Sequence, residues 1–245
     1  MTPQEAWQTL RDDPEYFLRW YPLKMAGSNL PMVAGAANPK VYSIYKLHPD
    51  RDGTAPGDTK RGHHGATRPS RNKVMNFFNI SKNISSFHMS TGGLPQIGAH
   101  GPINACYVPM LNWNSDSYGM QNLNADPTAL PYYVADNSGD GFMATGQLSG
   151  CCFAWQEVGG NLYCSHVNPA GGDGGTMQDA MAATGQQDGA PGPLQFYGRR
   201  QYAALASVVG LRNNAGWRLY AQTSADSFHT VNGLRRLHPN PVVLR

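Results

Sequence analysis

Charge is scarce in this chain: of 245 residues only 14% are charged, and the formal net charge is +3. That balance is too mild to hold nucleic acid by electrostatics alone, so no nucleic-acid partner is expected. Long apolar runs are missing as well. Nothing approaches the roughly 20 residues that a membrane-spanning helix requires, so no membrane partner is expected. Residues 1–17 carry Glu5, Asp12 and Asp13 where a cleaved signal would have a basic start and an apolar stretch. The chain is therefore expected to be soluble, and either to stay in the cytoplasm or to leave the cell without a cleaved signal peptide.

Cysteine is also sparse, and its spacing excludes a familiar metal centre. Cys106, Cys151, Cys152 and Cys164 form no CxxC pair and have no histidine at a zinc-finger interval, so neither a metal nor a cofactor is expected. His48, His63 and His64 lack a carboxylate or thiol spacing that would support a metal. Adjacent cysteines such as Cys151 and Cys152 make poor disulfide partners, which points to free thiols in a reducing compartment. No internal repeat and no heptad pattern is visible.

What the chain does have is turns. Gly 28 and Pro 18, beside 40% hydrophobic residues, predict a loop-rich, strand-dominated fold with a real core. The length suits one domain over residues 1–245. An N-terminal helical segment is expected over 1–21. Ala6, Trp7 and Leu10 share one face there, and Asp13-Pro14 supplies an N-cap and a first helical residue for a second short helix. Residues 21–40 read as turn and loop.

Strands are expected at 41–47, 74–80, 86–91, 103–111 with a bend near Pro109, 130–136, 194–197, 204–211 and 217–222. Residues 48–73 form a long basic loop with Lys46, Arg51, Lys60, Arg61, Arg68, Arg71 and Lys73 in or beside it. It reads as a solvated loop or as a patch that docks an acidic partner. Residues 112–129 and 185–193 read as irregular, and 176–184 as helix. The fold class expected is α+β: a strand-rich β-sandwich of mixed sheets with flanking helices and long loops.

The segment 142–169 is the most informative. Two strand-like runs, 151–158 and 161–167, flank Gly159-Gly160, a strong hairpin signal. With a two-residue turn, Val158 faces Asn161 and Cys151 faces Asn168. His166 is then the diagonal neighbour of Cys151 on the same face. A four-residue loop would set Cys151 directly opposite His166, and a three-residue loop would put the two on opposite faces. Gly150 permits a tight turn before the thiol, and that turn gathers backbone N–H groups that an oxyanion would need. A thiol is weakly ionised near neutrality, so a base beside it is what nucleophilic chemistry demands. The plainer reading is that both residues pack. Cys152 points to the other face and Cys164 lies opposite Trp155, so both read as core. Asp136, Asn137 and Asp140 read as a turn.

Leu148-Ser149-Gly150-Cys151 followed by His166, with Thr145 six residues before the cysteine, resembles the signature of the cytotoxic necrotizing factor and Burkholderia lethal factor glutamine deamidases. Chemoreceptor deamidases are similar, with Thr, Cys and His in the same order. The resemblance covers residues 145–169. It implies a cysteine-dependent hydrolase that converts a glutamine side chain of a target protein to glutamate. In that scheme Cys151 is the nucleophile, His166 its base and Thr145 the group that orients the imidazole. Leu148, Ser149 and Gly150 shape the turn and the oxyanion site. It further implies a monomeric bacterial toxin or effector delivered into a host cytoplasm, or an enzyme of the bacterial cytoplasm. A translation initiation helicase or a Rho-type GTPase is the candidate target. Another cysteine hydrolase, a transglutaminase, or a non-enzymatic β-sandwich binding module are the alternatives.

Overall fold

The computed structural model describes residues 1–21, 23–25, 39–47, 66–69, 81–84, 86–91, 99–112, 129–130, 132–169, 174–175, 177–179, 186–187, 195–202, 205–224, 229–231, 234–236 and 239–244. The chain opens with two helices, α1 (Pro3–Asp12) and α2 (Pro14–Trp20). Thr2 and Glu5 form a reciprocal capping box on α1, and the Asp13 side chain accepts from the Tyr16 N–H to start α2. Ala6, Trp7 and Leu10 are the buried face of α1, as their spacing predicts, and on α2 Phe17 and Leu18 are buried while Tyr16 is exposed.

Strands follow in the order β1 (Leu23–Met25), β2 (Pro39–Leu47), β3 (Ala66–Pro69), β4 (Ser81–Ile84), β5 (Ser86–Thr91), β6 (His100–Val108) and β7 (Met110–Asn112). After them come β8 (Ala129–Leu130), β9 (Tyr133–Ala135), β10 (Phe142–Thr145), β11 (Cys152–Val158), β12 (Asn161–Asn168) and β13 (Gln186–Gln187). The last are β14 (Gln195–Tyr197), β15 (Ala206–Asn213), β16 (Gly216–Ser224), β17 (His229–Val231), β18 (Leu234–Arg236) and β19 (Pro239–Val243). The large sheet runs β1-β5-β2-β6-β10-β15-β16-β19, and the smaller one β14-β11-β12-β7 with β9 also paired to β12. Both mix parallel and antiparallel neighbours. The α+β, strand-rich architecture is the one expected.

The large sheet buries both faces, and its strands alternate between two cores. On one face Phe142, Ala144, Ile103, Ala105, Tyr107, Val209 and Tyr220 pack with α1 and α2. On the other Met143, Cys106, Val108, Val208, Leu219 and Ala221 meet Phe153, Trp155, Leu162 and Cys164 of the small sheet. The two sheets thus form a sandwich with the helices as a third layer.

Several boundaries differ from expectation. Residues 21–40 were expected as loop, yet β1 forms there and pairs in parallel with β5. Only three residues long, it carries too little alternation to announce itself. The basic loop 48–73 contains β3, which pairs with β4; its remaining residues, and the strand expected at 74–80, lie outside the described residues, as does 113–128. Gln186–Gln187 is a strand within the expected loop 185–193. Gly174, Gly175 and 177–179 are helical, which places the start of the expected 176–184 helix slightly earlier. The bend at Pro109 is a change of sheet: β6 belongs to the large sheet and β7 to the small one.

Candidate functional site

The hairpin β11–β12 forms with the two-residue turn, Val158 paired to Asn161 and Cys152 to Val167. Gly159 and Gly160 both hold positive φ, 60° and 82°, which that turn demands and which glycine adopts without a Cβ clash. Register then fixes the faces. His166 pairs with Phe153, and Asn168 lies one step beyond the Cys152–Val167 pair, across from Cys151. Cys151, His166 and Asn168 therefore share the face that looks into the sandwich.

Thr145 comes to this place from the other sheet. It ends β10, which lies between β6 and β15, and it pairs with Val108 at the end of β6. Its hydroxyl lies 2.7 Å from His166 Nδ1 and donates to the Val108 carbonyl at 2.7 Å. A hydroxyl has one proton to donate, so with that proton on Val108 it accepts from Nδ1–H. The neutral imidazole then carries its hydrogen on Nδ1 and leaves Nε2 as an open lone pair. Nε2 is buried and has no hydrogen-bond partner. This is the tautomer a general base needs, and a threonine bridging two sheets holds it.

Burial shapes the electrostatics. His166 is 1% exposed, and desolvation pulls its pKa from 6.5 down to about 4. The imidazole is therefore neutral at physiological pH. Cys151 is 2% exposed, and burial raises its pKa while a backbone hydrogen bond from Ser149 opposes that rise. The resting pair is thiol and neutral base rather than thiolate and imidazolium. The sulfur makes its hydrogen bond to Asn168 Oδ1 at 3.8 Å, and not to His166 Nε2. Chemistry at this sulfur thus requires a turn of its side chain toward Nε2 and an opening above it.

The turn that carries the thiol is anchored on both sides. Leu148 is fully buried and exchanges two backbone hydrogen bonds with Ala206 of β15. Ser149 is exposed. Gly150 sits at φ 129°, a conformation closed to other residues, and a Cβ on Gly174 would overlap the Gly150 carbonyl oxygen. Tyr202 closes the arrangement: its hydroxyl accepts from the Gly150 N–H at 2.9 Å and donates to the Cys151 carbonyl at 2.7 Å. Arg199 donates to the Tyr202 carbonyl and lies over its ring. Sequence reasoning gave Tyr202 no role, and no local pattern marks it. It engages the Gly150 N–H, one of the backbone donors expected for the oxyanion.

Cys106 donates to Asp136 Oδ1 at 3.8 Å, and the other two thiols behave as packing groups. Cys152 and Cys164 are fully buried, and burial raises the pKa of both. Cys164 pairs with Trp155, as the register predicts. All four cysteines are free. Asp136 accepts from the Ser138 N–H and Asp140 from the Asn104 N–H, which makes that stretch a structural turn. Among the described residues no cluster of three or more His, Cys, Asp or Glu could hold a metal, and no helix is long and apolar enough to cross a membrane. No protein-family profile matches the chain, and no curated protein matches it significantly.

Proposed function

We propose that this chain is a cysteine-dependent glutamine deamidase acting on a target protein. The observation that carries the reading is the His166 hydrogen-bond chain. Thr145 fixes the ring so that Nε2 is the free base, on the same face as the only thiol that follows a glycine turn. In the scheme, His166 Nε2 takes the Cys151 proton as the sulfur attacks the carboxamide carbon. The carbonyl π pair moves to oxygen. Collapse breaks the C–N bond, and His166 returns the proton to the leaving nitrogen as ammonia. Water, deprotonated by the same Nε2, cleaves the thioester to glutamate and restores the thiol. One neutral amide becomes one carboxylate, enough to disable a catalytic glutamine of a GTPase or to disturb a surface of a helicase. A Rho-type GTPase and a translation initiation helicase are the proposed target classes, through the resemblance of residues 145–169 to toxins that act there. Delivery to a host cytoplasm follows from the same resemblance.

The deep burial of Cys151 favours a second reading, in which Cys151 and His166 are packing residues of a β-sandwich that binds a partner without chemistry. Expression of wild type and Cys151→Ser in eukaryotic cells, with a proteome-wide search for glutamine converted to glutamate, separates the two. New conversions present only with wild type support the enzyme; identical profiles support the binding module.

A further inference from the structure

We propose that Asn168 is a catalytic residue of this site, the side-chain donor that holds negative charge on the Cys151 sulfur and then on the substrate carbonyl oxygen. The inference rests on the deamidase reading and adds to it a group that neither the Cys-His-Thr pattern nor the glycine turn contains.

Three observations carry it. First, the Cys151 sulfur lies 3.8 Å from Asn168 Oδ1, within hydrogen-bond distance, while His166 Nε2 has no hydrogen-bond partner, so the amide is the side chain hydrogen-bonded to the nucleophile. Second, the donor expected from the turn is taken: Gly150 N–H is bound by the Tyr202 hydroxyl, and Tyr202 spends its own proton on the Cys151 carbonyl. The Ser149 N–H still reaches the Cys151 sulfur, but a charge that moves on to a substrate oxygen needs a further donor, because an unpaired charge in a buried site is costly. Third, Asn168 is partly exposed whereas Cys151 and His166 are 2% and 1% exposed. A substrate amide that approaches this buried pair meets Asn168 before it meets the sulfur.

The chemistry is balanced within the amide. Its oxygen accepts the S–H bond while the thiol is intact. Once His166 Nε2 has taken that proton, sulfur and Oδ1 repel. Rotation about the last side-chain torsion of Asn168 then presents Nδ2–H2 to the thiolate. When the sulfur bonds to the carboxamide carbon, the charge moves to the substrate oxygen next to it, and the same N–H2 donates there. No proton leaves Asn168, and no other reactant is needed. The β-ladder places this side chain in register with the nucleophile, so a rigid element rather than a loop holds the donor.

The test needs no substrate. The Cys151 thiolate is titrated by its ultraviolet absorbance, with Cys151→Ser as the blank for the other three thiols, in wild type, Asn168→Ala, Asn168→Ser and Asn168→Asp. Thermal melts confirm that each variant is folded. Losing a hydrogen bond to a charged group disfavours the thiolate, so Asn168→Ala raises the Cys151 pKa by roughly one to two units. Asn168→Ser, which keeps a donor, falls between, and Asn168→Asp shifts it furthest. An unchanged or lowered pKa in Asn168→Ala or Asn168→Ser overturns the proposal. On the protein target, Asn168→Ala lowers kcat by about 10²–10³ with KM nearly constant. Full kcat in that variant overturns the role of Asn168 and leaves the deamidase reading intact, whereas absence of conversion by wild type defeats the deamidase reading itself.

Discussion

The two faces of the large sheet are built from different chemistry. The face under α1 and α2 is mainly aliphatic and aromatic, with the ring pairs Phe17–Phe87 and Tyr42–Phe142; its buried Gln222 and Ser207 bond to Leu18, Tyr21 and Leu23, and among the described residues its hydrophobic cluster contains no cysteine. The core between the two sheets holds Cys106, Cys151 and Cys164, with Thr145 and His166 buried beside them. An apolar core gains stability for each group it removes from water. A core that also hides an imidazole with one nitrogen unpartnered gives some of that stability up. The helix-side core holds the sheet; the inter-sheet core spends part of that stability on a poised pair.

The largest expected contrast lies in chemistry. Cys151→Ala removes the nucleophile and lowers deamidation by roughly 10⁴-fold in a mass-spectrometric glutamate assay, while its melting temperature stays near wild type. Phe17→Ala, on the opposite face, does the reverse. Phe17 is fully buried, so truncation costs about 3–5 kcal/mol in denaturant unfolding, and Cys151 keeps its reactivity as long as the protein is folded. If Phe17→Ala instead abolished Cys151 reactivity in folded protein, the two cores would not be separable.

The imidazole sharpens the contrast with pH. The unfolded chain takes up a proton near pH 6.5, and the folded one resists until about 4. The part of stability that depends on a neutral His166 is therefore full above pH 6.5, is lost as pH drops from 6.5 to about 4, and changes no further below that. The shift of 6.5 to about 4 corresponds to about 3 kcal/mol, which His166→Gln removes from the pH dependence of unfolding. Thr145→Val has the smallest effect. It leaves Nδ1 and the Val108 carbonyl without their shared hydroxyl, costs about 1–3 kcal/mol, and lowers kcat by freeing the ring to take the wrong tautomer. A double variant with His166→Gln less destabilised than the sum would show that the two side chains act as one unit.

Much of the site was legible in the chain. Gly159-Gly160 sets a two-residue turn, and counting from it puts Cys151, His166 and Asn168 on one face before any coordinates are known. Helix starts were legible through Asp13-Pro14 because a cap is a local signal. Less legible were elements whose partners are distant. Phe142–Thr145 is buried on both faces, so it lacks the alternation that marks a half-buried strand, yet it is the strand that brings Thr145 to His166. Tyr202 was invisible: its role depends on a hydroxyl reaching a turn some fifty residues earlier, and nothing in its neighbours records that.

The most direct test of the account is alkylation of the native protein by iodoacetamide across pH 5–9, with each modified cysteine located by mass spectrometry. If His166 serves as base to Cys151, that one sulfur is modified first, at a rate nearly constant above about pH 5, and His166→Ala slows it by at least about tenfold. If Cys151 reacts no faster than Cys152 and Cys164, or at the same rate without His166, the sulfur is a packing group and the proposed enzyme is not there.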